Sequence, residues 1–319
     1  MTEARHSAAA APTWDAEGLW EALSPLLPGL SVEVVARCES TNTELLERAR
    51  RSGGRHDAPI TTPGAFDALE AGRPDERGPY GRRAGDTQPC LLVAEHQTRG
   101  RGRMGRLWQS SPGASLTFSL ALPLQPRDWS GLSLAVGMAL ADGLEPPPST
   151  GGGAGGALRI GLKWPNDLWL LDAPGRGRKL GGVLIETVPV GARRVVVVGV
   201  GLNVQPQAVR DLGSGYACLR ELDAGFTAPR ALHCVALPLA RALKAFERDG
   251  FAAFAEHYAA RDLLAGQPIA TTLPELPVGV AEGVAGDGAL RVRAPDGREH
   301  LLSSGEVSVR LQPPAGEPA

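Results

Sequence analysis

"RRVVVVGVGLNV", Arg193–Val204, reads as a strand with two unlike faces. Side chains alternate along a strand, so Val196, Val198, Val200 and Leu202 share one side. Gly199, Gly201 and Asn203 share the other. The valine side is core. The glycine side is stripped of bulk, which leaves room for something flat or for close backbone packing.

The neighbouring segments extend this pattern. "RKLGGVLIETV", Arg178–Val188, is a second strand, carrying a glycine pair. "LRIGLKW", Leu158–Trp164, alternates as well: Leu158, Ile160, Leu162 and Trp164 point one way, Arg159, Gly161 and Lys163 the other. Lys163 closes that strand on its less apolar face. Pro165 then forces a turn, where Asn166 and Asp167 supply an amide and a carboxylate. Further upstream, "LSVEVVARC" (Leu30–Cys38), "CLLVAEHQ" (Cys90–Gln97) and "SLTFSLAL" (Ser115–Leu122) read as strands. "LSLAVGMALADGL" (Leu132–Leu144) and "STNTELLERAR" (Ser40–Arg50) read as helices, the latter with Thr41 and Glu44 spaced as a capping box. Beyond residue 228, Leu232, Val235, Leu239, Leu243 and Phe246 recur at helical steps, and Pro238 is expected to kink or shift that helix. From about Pro268, short strands alternate with "GDG" and "PDG" turns, as in a small all-β module. The order implies an α+β fold: a mixed sheet with packed helices, then the β module.

The expected division is an N-terminal extension over 1–30, a main domain over 31–265 and the β module over 266–319. Residues 52–89, rich in Gly, Pro, Arg and Asp, read as an insertion in the main domain. The glycine run at 149–156 reads as a second. Composition narrows the function. The 319 residues carry a net charge of -2, whereas a general nucleic-acid binder usually has a basic excess. No apolar run approaches the length of a membrane span, and the first residues lack a signal-peptide pattern. Four cysteines are scattered without a CxxC pair and six histidines without a ligand spacing, which fits reduced thiols and no zinc site.

"GRGRMGR", Gly100–Arg106, joins two of the strands. Glycines let backbone amides approach an anion, and arginines offer fixed forks to carboxylate or phosphate. A nucleic-acid reading needs a disordered repeat of this unit, and the chain has one copy inside a folded pattern. Taken singly, the loop also fits an exposed connector. The Lys163–Asp167 segment fits a plain turn, Ser40-Thr41-Asn42 a helix cap, and Asn203 a strand end.

Together these segments resemble the biotin protein ligase family. The resemblance rests on Ser40-Thr41-Asn42, Glu95-x-Gln97, Gly100-Arg101-Gly102-Arg103-x-Gly105-Arg106-x-Trp108, Lys163-Trp164-Pro165-Asn166-Asp167-Leu168, Lys179 to Glu186, and Gly199-Val200-Gly201-Leu202-Asn203, in that order over roughly residues 32–311. It implies a class II synthetase-like catalytic domain followed by a small SH3-like β-barrel. It also implies an activity: biotin and ATP, with Mg²⁺, form biotinyl-5'-AMP, and a lysine of a biotin carboxyl carrier protein attacks it. The carriers implied are those of acetyl-CoA carboxylase and other biotin-dependent carboxylases. Ser40, Thr41, Asn42 and Gln97 match biotin-binding positions. Arg101, Gly102 and Arg103 match the loop that folds over biotin and the adenylate. Lys163 matches a lysine beside the reacting carboxylate and phosphate, a catalytic role shared with Arg103. Gly100, Arg106, Trp108, Asn166, Gly199, Gly201 and Asn203 match the adenylate's surroundings; no metal ligands are assigned. Met104 stands where bacterial members often carry arginine, and no N-terminal DNA-binding domain is expected. The implied protein is cytoplasmic, a monomer or homodimer, with no specific nucleic acid and no membrane. Two other readings compete. A lipoate or octanoyl transferase has a distantly similar fold but needs no ureido-binding group. A non-catalytic biotin sensor or nucleic-acid-associated regulator does not account for Lys163.

Overall fold

A computed structural model describes residues 13–53, 87–147, 158–173, 175–209, 213–305 and 307–311. Most of both expected insertions, 52–89 and 149–156, lies outside the described residues. In chain order the elements are α1 (Ala16–Leu23), β1 (Ser31–Cys38), α2 (Thr41–Gly53), β2 (Cys90–Gln97), the two-residue strands β3 (Gly100–Arg101) and β4 (Leu107–Trp108), β5 (Ser115–Pro123), α3 (Leu132–Leu144), β6 (Ile160–Lys163), β7 (Asp167–Ala173), β8 (Arg176–Val190) and β9 (Arg193–Asn203). Then follow α4 (Ala228–Asp249), α5 (Ala255–Ala259), β10 (Pro268–Thr271), β11 (Val278–Val284), β12 (Leu290–Arg293), β13 (Glu299–Leu302) and β14 (Val309–Leu311).

The main sheet runs β1-β2-β5-β9-β8-β7-β6. Its β1–β2 pair is parallel and the others are antiparallel, so the sheet is mixed. One face carries Phe118, Leu120, Val196, Val198, Val200 and Leu202 against α3 and α4, in one continuous core. The opposite face is covered by α2 at one end, where Leu45, Leu46 and Ala49 pack on Val195, Val197 and Ala121. Farther along that face the side chains shrink. Leu184 pairs with Gly199, Gly182 with Gly201, and Ser119 and Thr117 stand beside those glycines on β5. On β9 and β5 no side chain large enough to make core stands there, and that bare stretch carries the site.

One local expectation is corrected, at the start of α2. The capping box was expected at Thr41 and Glu44. Instead Ser40 precedes the first helical turn, its Oγ accepts from Thr43 N (3.4 Å), and Glu44 bonds Arg48 (3.1 Å). Thr41 is thereby released for the site. At Pro238 α4 continues without a break. Proline lacks the N–H that would meet the Cys234 carbonyl. Gly143 of α3 closes on that carbonyl, so tightly that a Cβ there would sit 2.5 Å from it.

The first described residues, within the expected extension, are core. Trp14, Leu19, Leu23 and Leu27 are buried in the same cluster as the sheet, and Trp14 Nε1 donates to Glu95 Oε1 (3.0 Å). The C-terminal strands form a five-stranded antiparallel sheet, β13-β12-β11-β10-β14. It is keyed to the main domain by Trp164, fully buried, whose indole donates to Gly288 O (3.1 Å).

Candidate active site

A cleft of about 1440 Å³ opens over the bare stretch of the main sheet. Its lining includes Ser40, Thr41, Asn42, Gln97, Arg101, Gly102, Arg103, Arg106, Trp108, Lys163, Asn166, Gly199, Gly201 and Asn203. Of the residues singled out from sequence only Gly100 is outside that lining; it sits buried in β3, paired with Trp108.

The start of α2 builds a neutral polar corner. Thr41 N donates to Gln97 Oε1 (2.7 Å), and Thr41 Oγ1 lies 3.2 Å from the same oxygen. Ser119 Oγ is 2.6 Å from both Thr41 Oγ1 and Asn42 Oδ1. A single hydroxyl proton cannot serve both, and a consistent chain is Thr41 O–H to Ser119 Oγ, then Ser119 O–H to Asn42 Oδ1. Asn42 Nδ2 donates to Leu184 O (3.1 Å) and Glu186 Oε2 (3.0 Å). Glu186 Oε1 in turn holds Arg101 (2.8 Å), which also reaches Thr43 Oγ1 (3.2 Å). Buried polar groups this well partnered fix one arrangement.

The Gly100–Arg106 segment is an ordered hairpin tip. Gly102 N donates to Arg106 O (2.7 Å), and the turn passes through Met104 at φ 55° and Gly105 at φ 70°. Arg103 donates to Asn166 Oδ1 (3.3 Å) and to the backbone carbonyls of Ser304 and Gly305. Burial draws its guanidinium below the ordinary arginine value, with Asp167 opposing and Arg106 adding to the shift. Met104 Sδ accepts from the Ser308 hydroxyl (3.3 Å).

Lys163 donates from Nζ to Val309 O (2.6 Å) and lies 5.6 Å from the centre of the Trp169 ring. Burial lowers its ammonium from the ordinary lysine value; Asp167 resists, while Lys179, Arg106 and Arg310 assist. Asn166 donates from Nδ2 to Val183 O (2.8 Å) and accepts Val183 N on its own carbonyl (2.9 Å), which pins the turn to β8. Asp167 pairs with Lys179 at 2.7 Å. Asn203 spends its amide on Lys179 O (3.2 Å) and Ala217 O (3.0 Å).

The glycine face is not open, as the strand pattern alone allowed. A Cβ on Gly201 would meet the Trp108 indole, 2.7 Å from Cζ2, and one on Gly199 would meet Asn42, 2.8 Å from Cγ. The flat group over Gly201 is the chain's own Trp108. Its Nε1 is buried without a hydrogen-bond partner.

The sequence-level reading missed four contributors. Lys179 and Glu186 sit on β8, and Ser119 continues the polar stripe Ser115-Thr117-Ser119 of β5; their alternation was visible in the sequence. The fourth, the backbone carbonyls of Ser304, Gly305 and Val309, had no local signal. None of the four cysteines lines the cleft. Cys90 is buried, and burial with Glu33 nearby pushes its thiol up to about 12. Among the described residues no group of three His, Cys, Asp or Glu is placed to hold a metal ion, and no helix is long and apolar enough to cross a membrane.

Comparison with known proteins gives a consistent result. Residues 84–203 match the biotin/lipoate A/B protein ligase family, and residues 265–310 match the biotin protein ligase C-terminal domain. The chain is 33% identical over 290 residues to a biotin–[acetyl-CoA-carboxylase] ligase of Mycobacterium tuberculosis, covering 86% of this chain and 88% of that protein. It is 34% identical over 236 residues to the bifunctional ligase/repressor BirA of Salmonella typhimurium, covering 72% and 68%. In fold it is similar to biotin protein ligase from Aquifex aeolicus, a structure solved in complex with biotin and ATP: TM-score 0.61, 23% identity, 89% of this chain and 100% of that one.

Proposed function

We propose a mechanism from one premise: the chain belongs to the biotin protein ligase family. It is a biotin–[acetyl-CoA-carboxylase] ligase. Biotin's carboxylate attacks the α-phosphate of ATP, pyrophosphate leaves, and biotinyl-5'-AMP forms. A carrier-protein lysine then attacks the acyl carbon and AMP leaves.

The residue roles follow from one observation: the cleft joins a neutral polar corner to a cationic one. Ser40, Thr41, Asn42 and Gln97 offer hydroxyls and amides suited to an uncharged ureido ring. Lys163 and Arg103, with Lys179 beside Asp167, suit a carboxylate and a phosphate. Lys163 and Arg103 stabilise negative charge developing at the α-phosphate and later on departing AMP. Their present partners are carbonyl oxygens of Ser304, Gly305 and Val309, which phosphate oxygens would replace. Arg101 and Gly102 close the loop over the intermediate. Gly100, Arg106, Trp108, Asn166, Gly199, Gly201 and Asn203 form its surroundings. Trp108 Nε1 supplies an uncommitted buried donor there.

Mg²⁺ belongs to the triphosphate in this reading, since the cleft's carboxylates are already paired: Asp167 with Lys179, Asp172 with Arg178, Glu186 with Arg101. Bound to ATP it offsets phosphate charge. We divide the chain at about residues 30 and 265, with the first segment packed into the catalytic core. The acceptors are the carrier of acetyl-CoA carboxylase and those of other biotin-dependent carboxylases. The protein works in the cytoplasm as a monomer or homodimer. It recognises no specific nucleic acid, so any binding should collapse as salt rises and show no sequence preference. The test is ATP–pyrophosphate exchange by purified protein. Exchange that needs biotin supports the ligase reading. Absent exchange, with biotin still bound, supports a sensor, and exchange that ignores biotin points to another acid as the substrate.

A further inference from the structure

Lysine is almost missing from this chain. Of 33 lysines and arginines, only Lys163, Lys179 and Lys244 are lysines. Lys163 and Lys179 line the cleft, and each Nζ sits on an oxygen acceptor, which for Lys163 a phosphate oxygen of the adenylate would replace. Lys163 Nζ is held on Val309 O at 2.6 Å, and Lys179 Nζ on Asp167 Oδ1 at 2.7 Å. Lys244 lies on α4, which contributes no residue to the cleft, and pairs with Glu247 at 3.1 Å. Every other cation lining the cleft, among the described residues, is arginine: Arg101, Arg103, Arg106, Arg176, Arg178 and Arg310.

That composition has a chemical consequence, which rests on the ligase reading above. An acyl adenylate is open to any unprotonated amine. The nitrogen attacks the acyl carbon, the C–N bond forms, the bond from acyl carbon to phosphate oxygen breaks, AMP departs, and the amine's proton passes to solvent. A guanidinium attracts the same phosphate but stays protonated and delocalised, so it is not acylated. We propose that the arginines around the cleft act as specificity determinants: they retain the adenylate electrostatically while leaving the carrier's lysine as the only free amine within reach. Whatever set the arginine bias of the chain, its effect at this site is to keep the intermediate off the enzyme itself.

Arg176 and Arg310 are exposed and line the cleft, so Arg176→Lys and Arg310→Lys add an amine while keeping the charge. Arg248→Lys, on α4, is the remote control. Full-length proteins are incubated with biotin, ATP and Mg²⁺ without carrier. Biotinyl-lysine is mapped by peptide mass spectrometry, and free adenylate is quantified in the same tubes. The expected result is labelling at position 176 or 310 roughly tenfold or more above that at 248, because a tethered amine has a high effective concentration. That labelling should climb about tenfold per pH unit between pH 7 and 9 as the amine loses its proton. Lys163 and Lys179 should stay unmodified in the parent. Adenylate present with neither cleft variant labelled above the control overturns the proposal. So does parent enzyme labelled at Lys163 or Lys179. A parent that makes no adenylate overturns the ligase reading, and this proposal with it.

Discussion

Gly201 and Lys163 are the residues whose replacement separates site from scaffold most cleanly. A methyl group on Gly201 collides with the Trp108 indole, a group on a two-residue strand rather than in the core. Gly201→Ala should therefore leave the melting temperature without ligand within a few degrees of the parent, a surface-sized effect. The rise in melting temperature on adding biotin and ATP should shrink, because the displaced indole no longer shapes the cleft. An unchanged ligand-induced rise with a much lower starting temperature would return Gly201 to a packing role. Lys163→Ala removes one charge-assisted hydrogen bond to Val309, worth about 1.5–3 kcal/mol of stability. It should cost pyrophosphate exchange roughly a hundredfold or more, as loss of a charge-stabilising donor does. Exchange within a few-fold of the parent would remove Lys163 from the chemistry. Alternation put Lys163 on the less apolar face of its strand and Gly199 and Gly201 opposite the valines of theirs, since that pattern is local; that the two faces are one comes only from the sheet register. The contact of Trp108 with Gly201 joins distant parts of the chain and was not legible. Lys179 stands in a recognisable motif, but its pairing with Asp167 crosses from β8 to β7, so its place in the site was not legible.

Elements were legible wherever period and length agreed. β2 and α3 have the bounds their sequences predict, because both are continuously apolar runs of the right length with polar or turn residues at their ends. The order of strands in the sheet is another matter. It joins β5 to β9 across α3 and the β6–β8 strands, a pairing no local window contains. The Gly100–Arg106 tip lies between these extremes. Its glycines announced a turn, while its ordering comes from Arg103 bonding Asn166 and two carbonyls more than two hundred residues onward. Arg103→Gly removes those charge-assisted bonds, each worth about 1.5–3 kcal/mol. The adenylate should then escape roughly tenfold to a hundredfold faster, and biotin should appear on a bystander such as serum albumin. A variant that is simply inactive, with no stray labelling and no released intermediate, would count against the tip as a clamp.

At the scale of the whole molecule, the two sheets meet beside the site. β6 is extended by Leu162 N donating to Arg261 O (2.7 Å) and Leu263 N to Leu162 O (3.0 Å), one residue before Lys163. Turn-rich composition predicted a β module after Pro268 but not that its last strand would deliver Val309 to Lys163, a contact 146 residues apart. Asp262 lies in this joint. Its Oδ1 accepts Leu264 N (2.9 Å), while Oδ2 is buried without a partner, as is the hydroxyl of Tyr258 nearby. Burial raises the carboxyl from 3.8 to about 6, against the pull of the Leu264 and Ala265 amides. The fold thus favours the protonated acid. The stability this lends is whole below about pH 4 and is lost as pH rises through 6. Asp262→Asn keeps the acceptor for Leu264 and replaces the unpartnered oxygen with a neutral donor. At pH 8 the variant should be more stable than the parent by up to about 3 kcal/mol, and at pH 4 nearly equal to it. Urea midpoints at the two pH values measure the difference. A gain that is the same at both, or a loss confined to pH 8, would mean that the Asp262 carboxylate is not a buried charge working against the joint.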